Sequence, residues 1–177
     1  MKLYNNNNNN NNNKVGKSQL FGIGFVDLLR PLRYHWIKDM KYSTKVKDEE
    51  GFPSFALINK ATGEALKHSI GATHPVRLVP YKPDYLDESV LWTESRDTGD
   101  GFRCIRMVNN IRLNFDALHG DKDHGGVRDG TFVVLWEWLK GDNQRWKIVP
   151  HLTQFGSPKF EEEDGESFNG SIPSAMN

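Results

Sequence analysis

Cysteine, net charge and long apolar runs are all scarce in this chain of 177 residues. Its single cysteine, Cys104, has no second cysteine in the chain to pair with, which excludes an internal disulfide framework. Lys+Arg and Asp+Glu number 23 each and cancel, which argues against a general attraction to nucleic acid or to an anionic membrane. Because no apolar run is long enough to span a bilayer, we expect no membrane insertion.

The chain also shows no apolar signal region after Met1, because a run of asparagines follows at residues 5–13. Without a signal peptide and without paired cysteines, we expect a protein of the nucleus and cytoplasm.

The composition divides the chain into three parts. Residues 1–33 are an atypical, Asn-rich N-terminal segment that we expect to be disordered in part, since asparagine buries little apolar surface. Residues 151–177 carry Ser, Gly, Pro and an acidic block, which is typical of a disordered tail. The sequence therefore predicts one folded domain at 34–150.

Short β-type runs alternate with Gly-containing turns throughout the predicted domain. No stretch of 12 residues keeps a helical period, so the pattern favours an all-β fold. The predicted strands lie at residues 54–58, 76–79, 90–93, 102–108, 131–138 and 146–149.

An internal repeat is marked by Trp36, Trp92 and Trp146, at intervals of 56 and 54 residues. Residues 76–81 align with residues 133–138 in the same register. Such spacing indicates one supersecondary unit of about 55 residues used three times. Four short strands per unit, closed by a tryptophan and arranged around an axis, predict a β-trefoil.

The first unit has too few residues before Trp36 for a full repeat of about 55, so we expect it to be incomplete. An incomplete unit leaves strand edges and apolar surface uncovered, and we therefore expect self-association through it. On this view, deleting residues 1–20 should matter little, whereas deleting residues 1–33 should damage folding.

The last unit closes on a Gln-x-Trp sequence at residues 144–146, preceded by Asn143, and this motif resembles the ricin-B-type lectin repeat. Longer strings resemble the Euonymus lectin domain, a plant relative of that fold, at residues 41–48, 55–63, 67–75 and 91–95. The resemblance covers residues 34–150. It implies a β-trefoil protein of the nucleus and cytoplasm that binds galactose- or mannose-type glycans or glycoproteins and is linked to plant stress responses.

Ricin-type sites combine a carboxylate that accepts sugar hydroxyls, an amide, and an aromatic ring that stacks on the sugar. By resemblance, Asp116 matches the carboxylate, Asn143 the amide and Trp136 the aromatic platform. Trp138 points to the same face as Trp136 by strand alternation and is the substitute platform if the register differs by two. Gln144 is expected to support the site or its turn. The third unit thus carries one predicted carbohydrate site.

The second unit departs from this pattern, since its equivalent positions hold approximately His68, Val79 and Ser89. We therefore expect no such site there. The alternative interpretation is a truncated trefoil that acts as a protein-interaction module without binding sugar.

An enzymatic function, as a glycosidase or a metal-dependent hydrolase, is a weaker alternative. Asp116 with Glu137 could form a glycosidase carboxylate pair, and His119 with Asp121 an acid–base pair, but neither pair has a sequence signature. The loop at residues 116–130 is rich in Asp and His, yet Phe132 stands where an EF-hand needs a glutamate. We expect a non-enzymatic protein without cofactor or metal.

Overall fold

The computed structural model describes residues 2–5, 35–127 and 131–150. In those residues it contains β-strands and short 3₁₀ turns but no α-helix. The described residues contain no helix that is long and apolar enough to cross a membrane. The strands are β1 (Lys2–Asn5), β2 (Trp36–Asp39), β3 (Phe55–Asn59), β4 (Glu64–Lys67), β5 (Arg77–Pro80), β6 (Leu91–Glu94), β7 (Ile105–Met107), β8 (Asn110–Ala117), β9 (Val133–Glu137) and β10 (Trp146–Val149). The 3₁₀ turns are Glu88–Val90, Lys122–His124 and Asp142–Gln144.

Two units of four strands repeat the same connectivity. In the second unit β3 pairs with β4, β4 with β5, and β6 returns to pair with β3. In the third unit β7 pairs with β8 and β8 with β9, and an isolated bridge between Arg103 and Trp146 brings β10 back to the start of the unit. Each unit also has a 3₁₀ turn directly before its fourth strand.

The units join by pairing the fourth strand of one with the first strand of the next. The three junctions are the antiparallel pairs β2–β3, β6–β7 and β10–β1. At each junction the repeated tryptophan lies opposite a residue at the end of the partner strand: Trp36 opposite Asn59, Trp92 opposite Met107 and Trp146 opposite Asn5. Three equivalent junctions that close on themselves are the pattern of a β-trefoil, as the sequence predicts.

Strand β1 belongs to this closed arrangement, although residues 1–33 are expected from the sequence to lie outside the domain. It takes the first-strand position of the first unit, where its Leu-Tyr-Asn sequence matches the Leu-Ile-Asn end of β3. The physical reason is that β10 would otherwise present an unpaired edge. The remainder of the predicted N-terminal segment, at residues 6–34, and the predicted acidic tail, at 151–177, lie outside the described residues.

The core repeats with the units. Trp36, Trp92 and Trp146 are all buried, and Trp92 packs edge-on against Phe115 with ring centroids 4.5 Å apart. The indole nitrogens of Trp92 and Trp146 donate to the carbonyls of Leu66 and Phe115 respectively, each at 3.0 Å. Leu66 of β4 and Phe115 of β8 therefore occupy equivalent positions, which aligns the second and third units residue by residue.

A buried ion pair ties the loop before β3 to strand β7. Arg106 donates to Asp48 at 2.6 Å, and the Thr93 hydroxyl donates to the same carboxylate oxygen at 2.7 Å. Burial acts to raise the pKa of Asp48, but hydrogen bonds from Thr93 and the Phe52 amide, together with Arg106, hold it below its ordinary value. Both charged side chains are at least nine-tenths buried, and Arg106 also pairs with the half-exposed Glu50 at 3.0 Å, so this small network replaces the water that burial removes.

Candidate functional site

Asp116 is the predicted carboxylate, and it is the penultimate residue of β8, directly opposite Val134 of β9. Its side chain lies under the turn at residues 141–144 and is only 6% exposed. This burial raises the pKa of Asp116 from its ordinary 3.8 to about 6, against hydrogen bonds from the Gln144 and Asn143 amides that lower it. Burying a carboxylate is costly, so its presence here points to a role beyond packing.

Asn143 reaches Asp116 from the 3₁₀ turn that precedes β10. Its Nδ2 donates to Oδ1 of Asp116 at 2.9 Å and to the carbonyl of Ala117 at 3.3 Å. The adjacent Gly141 is necessary for this placement, because a Cβ atom at position 141 would lie 2.4 Å from Oδ1 of Asn143. The two residues that the sequence assigns to the polar part of the site are thus in direct contact.

Gln144 is buried, at 1% exposure, and contacts backbone rather than solvent. Its Nε2 donates to the carbonyl of Glu137 at 2.7 Å, while its Oε1 accepts from the amide of Leu139 at 2.8 Å. These two bonds clamp the chain where β9 ends. Gln144 therefore fixes the backbone at the end of β9, next to Asp116.

Trp136 lies beside the carboxylate. It pairs with Asn114 and stands two residues after Val134, so strand alternation puts it on the same face as Asp116. Its side chain is half-buried. Trp138 follows the end of β9, is 36% exposed, and continues the row of side chains that Val134 and Trp136 form on this face. The predicted residues Asp116, Asn143, Trp136 and Trp138 are therefore neighbours on one surface of the third unit, with Gln144 beneath.

The second unit places different chemistry at the equivalent positions. Because Leu66 matches Phe115, the residue that matches Asp116 is Lys67, one position before the predicted His68. Val79 and Ser89 match Trp136 and Asn143, as predicted. A carboxylate and an aromatic platform are both missing from this position of the second unit.

His68 has a structural role instead. It is buried, packs edge-on against Trp92 at 4.5 Å, and its Nε2 lies 2.7 Å from the carbonyl of Leu91. Burial lowers its pKa, so the neutral ring is favoured. The sequence analysis matched His68 with Asp116, one residue away from the true match at Lys67, and it did not predict the packing of His68 against Trp92.

The carboxylate and histidine pairs considered for catalysis do not assemble. Glu137 pairs with Leu113 and therefore points to the opposite face of β9 from Asp116. Asp121 pairs with His124 at 2.7 Å, while His119 lies against the His124 ring with centroids 5.1 Å apart. Within the described part of the chain, no group of three or more His, Cys, Asp or Glu side chains could hold a metal ion.

Cys104 is buried beneath the sheet, and burial raises the pKa of its thiol. A protonated, enclosed thiol is a poor nucleophile. Its surroundings are those of a core residue.

A closed set of three strand junctions defines a β-trefoil protein, and its third unit carries a buried carboxylate–amide pair with tryptophans on the same face. The chain is 76% identical over 117 residues to "Ricin B-like lectin R40G3" of Oryza sativa subsp. japonica, covering 66% of this chain and 57% of that protein. It is 78% identical over 116 residues to "Ricin B-like lectin R40C1" of the same plant, and 74% identical over 116 residues to "Ricin B-like lectin EULS3" of Arabidopsis thaliana. Those matches cover 66% of this chain and 33% and 37% of the relatives. The resemblance to the Euonymus lectin domain, and with it to the ricin-B-like lectins, is therefore confirmed.

The chain spans little more than half the length of the first of these relatives and about a third of the others. No family model matches the sequence. Among solved structures, the designed three-fold symmetric protein ThreeFoil is similar, with 20% identity over 67% of this chain and 73% of that one, at a TM-score of 0.46.

Proposed function

We propose that this protein binds carbohydrate through one site in the third unit, formed by Asp116, Asn143 and Trp136. The observation that carries the proposal is the 2.9 Å hydrogen bond from the Asn143 amide to the buried Asp116 carboxylate. This bond holds a carboxylate, which accepts hydrogen bonds, beside an amide, which both donates and accepts them. Carboxylate and amide groups together match the mixed donors and acceptors of a sugar ring.

The half-buried Trp136 supplies the apolar part of the site. A sugar presents a C–H face as well as hydroxyls, and an aromatic ring beside the carboxylate covers that face. Trp138 is the nearest further aromatic and would contact a sugar that extends past Trp136. Gln144 contributes by fixing the backbone that carries both rings.

The names of the relatives support a binding function rather than catalysis, since all three are called lectins. We propose galactose- or mannose-type glycans or glycoproteins as the ligands, on the resemblance to the Euonymus lectin domain. A single monosaccharide of 12 heavy atoms gains only about −3.6 kcal/mol at the efficiency usual for larger ligands, which corresponds to a millimolar Kd. Useful affinity would require an extended or clustered glycan.

A glycan array followed by calorimetry on the best oligosaccharide tests this proposal. Asp116→Ala and Asn143→Ala should each weaken binding by about 1.5–3 kcal/mol, the range for hydrogen bonds that involve a charged group. The matched control is Lys67→Ala at the equivalent position of the second unit, which should leave binding unchanged. Equal losses from Asp116→Ala and Lys67→Ala would contradict the assignment to the third unit.

The same samples test catalysis and the alternative of a protein-interaction module. Released product in a mass spectrum of the incubated glycans would contradict a pure binding function. Absence of binding to every glycan on the array would favour an interaction module. We further propose a location in the nucleus and cytoplasm and a role in plant stress, which a fluorescent fusion followed in stressed and unstressed cells would test.

A further inference from the structure

We infer that the site has a second sugar subsite on the other side of Asp116 from Trp136, with Phe132 as its aromatic platform. Its ligand is then an oligosaccharide whose sugars occupy both sides of the carboxylate. This inference rests on the proposed carbohydrate function and deepens it.

The first argument is the register of the strands. The amide of Leu118 donates to the carbonyl of Phe132 at 2.9 Å, which extends the β8–β9 pairing one residue beyond its last pair. Strand alternation then puts Phe132, Val134 and Trp136 on one face, with Asp116 directly across from the middle one. Asp116 is therefore flanked by an aromatic residue two positions away on either side.

The second argument is exposure. Phe132 is 58% exposed, whereas Val133, Val134 and Leu135, which follow it, are all buried. Phenylalanine is usually a core residue, and a large exposed ring beside a polar site is the kind of surface that marks a ligand contact. The core in this region is already filled by Val133 and Leu135, so packing does not account for Phe132.

The third argument is the polar group next to this ring. His119 follows Leu118 in the chain and is held in the left-handed region, at φ 54°. Gly120 makes the tight turn possible, because a Cβ there would lie 2.8 Å from the carbonyl of Ala117. His119 packs against His124, which is fixed by its pair with Asp121. This exposed imidazole, one residue beyond the Leu118–Phe132 backbone hydrogen bond, can bind a hydroxyl of the second sugar.

The dimensions favour more than one sugar. Phe132 and Trp136 are four residues apart on an extended strand, which separates their Cα atoms by about 13 Å. One sugar ring cannot stack on both. A sugar on Trp136 that reaches Asp116 therefore directs its neighbour towards Phe132.

Calorimetry with two pairs of probes tests the inference: methyl α-mannoside against mannotriose, and galactose against a galactose-terminated trisaccharide. We expect Phe132→Ala to weaken binding of the better trisaccharide about fivefold to tenfold, as for loss of one aromatic stacking contact, and to leave its monosaccharide within twofold. Trp136→Ala should weaken both members of the pair. Tyr85→Ala is the matched control, because Tyr85 is an aromatic residue of the second unit that is 68% exposed, and it should change neither.

Phe132 is exposed, so its replacement should leave the melting temperature of the full chain unchanged, and circular dichroism checks this. Equal weakening of monosaccharide and trisaccharide by Phe132→Ala, or no effect on the trisaccharide, would overturn the second subsite while leaving the proposed function intact. Failure of the unsubstituted protein to bind any of the four sugars would instead overturn the proposed function, and the inference with it.

Discussion

The buried carboxylate of Asp116 should make the protein less stable at neutral pH than it would be without that charge. In the unfolded chain this carboxyl has its ordinary pKa of 3.8, whereas burial raises the pKa to about 6 in the folded protein. Between these values the folded state holds the proton more tightly, so stability is greatest at low pH and falls as the pH rises from about 4 to about 6. Above about pH 6 the ionisation of Asp116 causes no further loss of stability.

The size of the effect follows from the change in pKa. A rise of roughly two units corresponds to about 3 kcal/mol of lost stability at pH 8, and to about half that at pH 5. Because Asp116 is only 6% exposed, water does little to reduce this cost. For a domain of this size it is a substantial part of the total free energy of unfolding.

We therefore expect Asp116→Asn to stabilise the protein, since the amide keeps an oxygen for the Asn143 hydrogen bond but carries no charge. Urea unfolding at pH 5 and pH 8 should show a gain of about 3 kcal/mol at pH 8 that shrinks to about 1.5 kcal/mol at pH 5. Glycan binding by the same variant should fall, because the amide replaces one acceptor with a donor.

Asp121→Asn serves as the control of opposite sign, because the hydrogen bond from His124 lowers the pKa of the Asp121 carboxyl. That substitution should give no gain in stability at pH 8. If Asp116→Asn destabilises the protein at pH 8, or if its effect is the same at both pH values, then burial does not raise the pKa of the Asp116 carboxyl as described here.

Three further predictions concern the supports of the site and of the fold. Gly141→Ala should displace the Asn143 side chain and weaken glycan binding at least as much as Asn143→Ala, measured by calorimetry, with a melting temperature near that of the parent. Asp48→Ala should cost about 3 kcal/mol in urea unfolding, the lower end of the range for a broken buried pair, because only the half-exposed Glu50 then remains to pair the Arg106 charge; a loss below 1 kcal/mol would show that Glu50 alone compensates Arg106. Deleting residues 1–5 should lower the melting temperature by about 5 °C or more, whereas removing five asparagines from residues 6–13 should not; equal melting temperatures would mean that β1 adds nothing to the sheet.

The last prediction differs from an expectation from the sequence, namely that deleting residues 1–20 should matter little, because β1 pairs with β10. Four residues before an asparagine run give no strand signal of their own. Their assignment depends on β10, a partner at the other end of the domain, and on the similarity between Leu3-Tyr4-Asn5 and the end of β3. Local patterns cannot provide that information.

The repeat of tryptophans was enough to predict the trefoil, because a core used three times needs the same large residue at the same place. Most strands were also found from β-type runs between turns. Strands β1, β2, β4 and β8 were missed, and β8 is the one that carries Asp116. Its Asn114 and Asp116 are poor strand formers, but the alternation of Ile111, Leu113 and Phe115 was a usable signal.

The candidate site residues were assigned by resemblance, and their contacts needed the structure. The pairing of Asn143 with Asp116 spans 27 residues, and the burial of Gln144 follows from a turn whose shape the sequence does not state. The alignment of the second unit was off by one residue at Lys67. That register is fixed by the indole-to-carbonyl hydrogen bonds of Trp92 and Trp146, and the strand pairings of Lys67 and Asp116 agree with it.

The pairing of β1 with β10 also determines when the molecule can be completed. Asn5 and Trp146 are roughly 140 residues apart in sequence, so this junction closes a far longer loop than β2–β3 or β6–β7. During synthesis the second unit and its junctions can form while the chain is still growing, but β1 has no partner until β10 has left the ribosome. Until then β1 remains an unpaired edge, and the ring of three units closes last.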